Sequence, residues 1–115
     1  MLEDAAPKKE AASQEDDTAD ARWYRCAACG EKIARHDDAI EVAGRHVHAR
    51  LNPHGSLFAF GCFSDARCVV SGEPTAEASW FPPAAWQYAH CTCAAHLGWF
   101  FSEGFYGLVM ERLLE

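Results

Sequence analysis

The sequence predicts an all-β domain, on three observations. Its apolar runs are short, Gly, Pro, Asn or Asp interrupts them every eight to twelve residues, and no stretch sustains a helical period. The first strand-like segments are Ala39 to Val42 and Arg45 to Leu51, where apolar and polar residues alternate on either side of Ala43-Gly44. A glycine there can supply the positive φ that closes a hairpin. Further strands are expected at Leu57 to Phe63, Cys68 to Ser71, Trp86 to His90, Leu97 to Ser102 and Phe105 to Met110. Turns are expected at Asn52-Pro53-His54-Gly55, Gly72-Glu73-Pro74 and Phe81-Pro82-Pro83. Glu111 to Glu115 reads as a helical turn or a frayed end, and no internal repeat is present.

Residues 1–21 have a different texture. They hold seven acids against Lys8 and Lys9, no aromatic residue, and only Met1 and Leu2 as large apolar side chains. Such a stretch cannot bury enough surface to offset the entropy of ordering, so 1–21 is expected to be a disordered acidic tail and 22–115 the folded β domain. An acidic docking tail for a basic partner is the functional alternative. The net charge of −7 and pI near 5.3 argue against nucleic acid, whose binding relies on cations that release counterions. With no apolar run of membrane-spanning length and no secretory pattern at the N-terminus, the expectation is a soluble, cytoplasmic monomer without a membrane partner.

The six cysteines then point to metal more than to disulfides. Cys26-Ala-Ala-Cys29, followed by Gly30, has the spacing of a zinc knuckle: two intervening residues let both sulfurs reach one ion, and the glycine permits the tight turn beneath. The other close pair is Cys91-Thr92-Cys93, with a single residue between the thiols. Together the pairs make a four-cysteine site for one structural Zn2+, with His96 or His90 able to stand in for a thiolate if the shorter pair cannot aim both sulfurs inward. Cys62 and Cys68 lie in apolar strand-like segments and read as small buried hydrophobes. His46 and His48, flanking Val47, read as surface histidines.

Ser79-Trp80-Phe81-Pro82-Pro83-Ala84-Ala85-Trp86 and Cys91-Thr92-Cys93-Ala94-Ala95-His96-Leu97-Gly98-Trp99-Phe100-Phe101 carry a resemblance. With Cys26 to Cys29, Asn52-Pro53-His54-Gly55, Gly72-Glu73-Pro74 and Phe105-Tyr106-Gly107-Leu108, they place residues 23 to 112 in an order similar to the CULT domain, the thalidomide-binding domain of the cereblon family. The resemblance implies two antiparallel sheets set at an angle and pinned by a four-cysteine zinc, a β-tent. It also implies a pocket for glutarimide-type rings, with uridine-like rings as weaker ligands, walled by Trp80, Trp86, Trp99 and Phe101. The Ala78 carbonyl would accept the imide N–H, the Trp80 backbone N–H would donate to an imide carbonyl, and Asn52 with Pro53 would line the rim beside Ser79. His54 reads as a rim residue touching the ligand's outward group, or as a solvent-exposed turn residue. Trp23 reads as packing beside the knuckle.

The side-chain chemistry agrees with that implication. A cyclic imide has a flat polar edge and an apolar methylene side, so it suits indole walls with a short polar strip. Four thiolates around zinc leave no open position, which makes the metal structural and the domain a binding module and not an enzyme. The ligand is then a small cyclic imide, or a peptide terminus that bears one. Two alternatives remain from the sequence. Cys-x-Cys-x-x-His-Leu-Gly also resembles methionine sulfoxide reductase B, although no cysteine follows Cys93 to serve as nucleophile. A zinc-ribbon adaptor that binds protein through its surface is the third reading. The resemblance is to the single-domain bacterial type, for which no ubiquitin-ligase adaptor is expected.

Overall fold

A computed structural model describes residues 22–115; the acidic stretch 1–21 lies outside the described residues. Among the described residues nine strands form two antiparallel sheets, accompanied by 3-10 turns at His36–Asp38 and Met110–Arg112. The smaller sheet, ordered β2-β1-β9, joins β1 (Trp23–Cys26), β2 (Lys32–Arg35) and β9 (Leu113–Leu114). The larger, ordered β3-β4-β8-β7-β6-β5, joins β3 (Val47–Leu51), β4 (Leu57–Phe63), β5 (Val69–Thr75), β6 (Trp86–His90), β7 (His96–Phe101) and β8 (Phe105–Val109). Among the described residues no helix is long and apolar enough to cross a membrane.

The core divides in two. Near the cysteines, Tyr24, Ile33, Phe63, Leu97, Leu108 and Leu113 bury one another between the sheets. Further along the large sheet, Phe60, Cys62, Trp99, Phe101, Phe105 and Val109 form a second cluster, against which Trp80, Phe81 and Trp86 pack. Strand β4 serves both: Phe60 to Phe63 are buried on both faces, which is why this segment reads as an unbroken apolar run. Full burial of a phenylalanine such as Phe60 contributes about 1.5–3 kcal/mol.

The strands at Leu57–Phe63 and Trp86–His90 lie where the sequence places them. Others differ. Ala39 to Val42 is not a strand but two isolated bridges, Ala39 to Phe63 and Val42 to Arg45, although the predicted tight turn at Ala43-Gly44 closes with φ of 52° and 89°. Gly72-Glu73-Pro74 is not a turn: β5 runs through it to Thr75. Three residues there, 72–74, oppose the single Gln87 of β6, since Ser71 faces Tyr88 and Thr75 faces Trp86. Gly72 takes up the irregularity at φ 92°, and Pro74 is tolerated because β5 is an edge strand that need not donate there. The C-terminal segment is neither frayed nor purely helical. After the 3-10 turn, Leu113 and Leu114 pair with Cys26 and Arg25.

His48 is not a surface residue. It is 2 % exposed, stacked on Phe60 with ring centroids 5.6 Å apart and edge-on to Phe81 at 5.2 Å. Its Nε2–H donates to the carbonyls of Val42 (2.9 Å) and Arg45 (3.1 Å), so it ties down the tight turn from inside. His46 is half-buried against Phe63, its Nδ1 3.1 Å from the Ile40 carbonyl. Neither is the surface histidine the sequence predicts, because segment 40–45 folds over this side and its carbonyls meet both rings.

Gly98 is the tightest point of the large sheet. It faces Leu108 across β7 and β8, and a Cβ there would come within 1.9 Å of the Gly107 carbonyl oxygen. Gly98→Ala is expected to destabilise the domain by about 3 kcal/mol or more, because backbone has to move. Leu51→Ser, on an exposed position, is expected to stay within about 0.5 kcal/mol. Urea denaturation of the two variants checks the contrast.

Candidate functional site

The two cysteine pairs meet, although sixty-odd residues separate them. Cys26 and Cys29 flank the β1–β2 turn, Cys91 and Cys93 the β6–β7 turn, and the four sulfurs lie within 4.8 Å of one another. Cys29 Sγ is 3.5 Å from Cys91 Sγ and Cys26 Sγ is 3.9 Å from Cys93 Sγ. Those distances are too long for disulfides. A tetrahedral zinc with bonds of about 2.3 Å requires sulfurs about 3.8 Å apart, so the cluster fits one such ion with all four ligands from cysteine. His96 and His90 are not needed.

The two halves close alike despite their different lengths. Gly30 N–H donates to the Cys26 carbonyl at 2.7 Å and Ala94 N–H to the Cys91 carbonyl at 2.8 Å. Each of these residues follows the second cysteine and sits at positive φ, 83° for Gly30 and 78° for Ala94. One position later, Glu31 and Ala95 accept from the N–H of the first cysteine, at 2.8 Å and 2.9 Å. The missing residue in the second pair thus tightens the returning hydrogen bond by one position and leaves the closure otherwise intact. Burial alone would raise the Cys91 thiol, but the Cys93 backbone N–H and the neighbouring thiols outweigh it and bring it down to about 7. In contrast, burial pushes Cys62 up to about 11 and Cys68 up to about 12, so both stay protonated and inert.

On the larger sheet a cleft of about 410 Å³ opens between β4, β6, β7 and the segments 52–54 and 78–80. Trp80, Trp86, Trp99, Phe101, Asn52, Pro53, His54 and Ala78 all line it. Strand register explains part of this convergence: Trp86 lies opposite Phe101 and Tyr88 opposite Trp99. Trp80 arrives from outside the sheet, stacks on Phe60 with centroids 5.1 Å apart and 9° between planes, and meets Trp99 edge-on at 4.8 Å. Both flanking indoles are anchored through their N–H groups. Trp80 Nε1 donates to the Leu51 carbonyl at 3.1 Å and Trp86 Nε1 to the Glu77 carbonyl at 2.9 Å. The indoles therefore turn π surface, and not their own donors, to the cleft.

The polar strip comes from backbone. Ala78 is a non-glycine residue at φ 58°, a conformation held against its intrinsic cost, as is common where a site needs a fixed backbone. Among the described residues neither the Ala78 carbonyl nor the Trp80 backbone N–H makes a hydrogen bond. Ser79 does not line the cleft. Its hydroxyl accepts from the Phe81 N–H at 3.2 Å and so fixes the turn leading into Phe81-Pro82-Pro83. Asn52 is also a turn former: its Oδ1 accepts from the N–H groups of His54 (3.0 Å) and Ser56 (2.8 Å), which holds Pro53 and His54 at the rim. Phe58, Tyr88 and His96 are three further cleft residues that the sequence reading passes over. For Tyr88 the strand period from Trp86 was the available signal. Trp23 lies elsewhere, beneath Lys32, Arg35 and Arg67, whose charged groups are 5.6, 5.6 and 4.5 Å from its ring.

Comparison with known proteins gives a consistent result. No protein-family profile matches the chain. It is 36 % identical over 76 residues to cereblon of Gallus gallus, covering 57 % of this chain and 17 % of that protein. For cereblon of Danio rerio the identity is again 36 % over 76 residues, with 57 % and 18 % covered. For that of Xenopus tropicalis it is 35 % over 78 residues, with 56 % and 17 % covered. The chain spans less than a fifth of the length of these relatives.

Metal analysis is expected to return one zinc per chain. Because binding energy is here folding energy, strong chelators or Cys29→Ser should unfold the domain, followed by circular dichroism. Zinc should also be released as pH falls, since protons compete for the thiolates. A stably folded, metal-free protein with an unchanged melting temperature would contradict the assignment.

Proposed function

We propose that this chain, a CULT domain of the cereblon type by sequence likeness, sheet architecture and its four-cysteine cluster, is a non-catalytic module that captures a small cyclic imide. The observation that carries this reading is the pairing of an unoccupied backbone acceptor and donor, at Ala78 and Trp80, with the aromatic walls of Trp80, Trp86 and Trp99. An imide presents one N–H between two carbonyls along one edge and methylenes along the other. Its edge matches the backbone strip, and its hydrocarbon side matches the indole faces. Rigid, hydrogen-bond-anchored indoles lose little freedom on binding.

The site residues take these roles. Trp80, Trp86, Trp99 and Phe101 enclose the ring; the Ala78 carbonyl accepts its N–H and the Trp80 N–H donates to a carbonyl. Asn52, Pro53 and His54 form the rim, where a substituent or a peptide chain bearing the imide would leave the cleft. Ser79 acts at one remove, through its bond to Phe81. Cys62 and Cys68 offer no low-pKa thiolate, which disfavours a sulfoxide reductase. We take the domain to act as a cytoplasmic monomer, without nucleic acid, membrane or ubiquitin-ligase adaptor as partner.

Titration with thalidomide, followed by tryptophan fluorescence, is expected to show binding at micromolar strength, worth about 8 kcal/mol. Trp99→Ala should abolish the signal while leaving zinc content unchanged; Trp23→Phe, remote from the cleft, should bind as the parent does. Equal binding by the Trp99 variant, or turnover of methionine sulfoxide with a dithiol, would refute the reading.

A further inference from the structure

Behind the cleft stands one cation that does not line it. Arg112, in the 3-10 turn before β9, donates from Nη1 to the His96 carbonyl at 2.9 Å and contacts His96 Nδ1 at 3.3 Å. The same guanidinium lies 5.5 Å from the centroid of Phe58. Its backbone is held in turn by the zinc knuckle, since the Arg112 carbonyl accepts the Ala27 N–H at 3.0 Å. The two side chains that Arg112 touches are both cleft walls. His96 meets Trp99 edge-on at 5.3 Å and Phe58 meets it at 5.5 Å.

The chemistry of these contacts leaves one tautomer. An arginine can only donate, so His96 Nδ1 is the acceptor and bears no proton. A carbonyl can only accept, and His96 Nε2 is 2.8 Å from the Gly98 carbonyl, so Nε2 carries the hydrogen. We infer that Arg112 is a positioning residue for the cleft: it locks His96 as the neutral Nε2–H tautomer and braces Phe58, so that both rings stand as fixed walls against Trp99. Both ring nitrogens are then satisfied within the protein, and His96 offers the ligand aromatic surface without a free donor or acceptor.

The surroundings favour the neutral ring. Burial pushes the His96 pKa down, the Gly98 bond acts upward, and Arg112 and then His90 push it down again, with a net lowering. Tyr88 and His90 face the ring from β6, and Glu111 borders the groove on its far side. The inference rests on the cleft being the ligand site, as proposed above.

Nitrogen NMR of the 15N-labelled, zinc-loaded protein tests the lock directly, alongside thalidomide titration. In the parent, His96 should show a protonated Nε2 and a bare Nδ1 at neutral pH. Arg112→Met should admit the Nδ1–H or doubly protonated ring and weaken thalidomide about tenfold, and Arg112→Lys, which keeps a donor, should recover part of both. An Nδ1–H ring in the parent overturns the inference, as does a Met variant with unchanged tautomer and affinity. Should the Met variant fail to fold, the parent spectrum and the Lys variant decide. Absent binding with the ring locked refutes the ligand reading and with it the role of Arg112 there; intact binding with an unlocked ring refutes the inference alone.

Discussion

Four sulfur atoms from opposite parts of the chain are the constraint on which this structure depends. The small sheet has strands of four, four and two residues, too short to be stable alone. The turn between β1 and β2 brings its two cysteines against those of the turn between β6 and β7 of the large sheet, where one shared metal ion would hold the small sheet in place. The clasp also fixes where the chain ends: β9 pairs with β1 directly beside Cys26. From there the Arg112 side chain reaches toward the cleft. A zinc ion with four thiolate ligands would supply coordination energy and no open position for a substrate, so its role toward the cleft would be architectural.

The aromatic cleft follows from strand register together with two glycines. On β6 and β7, period two puts Trp86, Tyr88, Trp99 and Phe101 in adjoining rows, and antiparallel pairing sets them opposite one another. Gly98 lets the backbones of β7 and β8 approach; at Gly107 a Cβ would meet Phe60 at 2.9 Å and Phe101 at 3.1 Å. Removing side chains from those points lets Phe60 lie flat under Trp80. The segment from Thr75 to Trp80 supplies what the sheet cannot, backbone polar groups without ladder partners. Its geometry is set by the Glu77 N–H on Thr75 Oγ1, by Trp86 on the Glu77 carbonyl and by the positive φ of Ala78.

His46 just before β3, His48 on it and His96 on β7 illustrate how context decides what an imidazole does. His48 is consumed by holding a turn between two phenylalanines. His46 packs against Phe63 near Met110. His96, a candidate zinc ligand on spacing alone, is held by bonds to Gly98 and Arg112 and becomes part of the cleft.

Resemblance to a family pointed to the three indoles; by itself the sequence determined the all-β class, strands Leu57–Phe63 and Trp86–His90 and the two cysteine pairs. These are local properties: a period of two, turn residues with fixed dihedral preferences, and thiol spacing suited to one ion. Tertiary structure alone decided that β1, β2 and β9 are strands, that β5 continues across Gly72 to Pro74, that His48 is buried, and that Phe58 and His96 join the cleft while Ser79 does not. Several of those outcomes depend on a partner distant in the chain, as β9 does on β1 and the Phe58 wall on Trp99. A two-residue strand such as Leu113–Leu114 has too little pattern to announce itself, and it exists because β1 presents an edge to it.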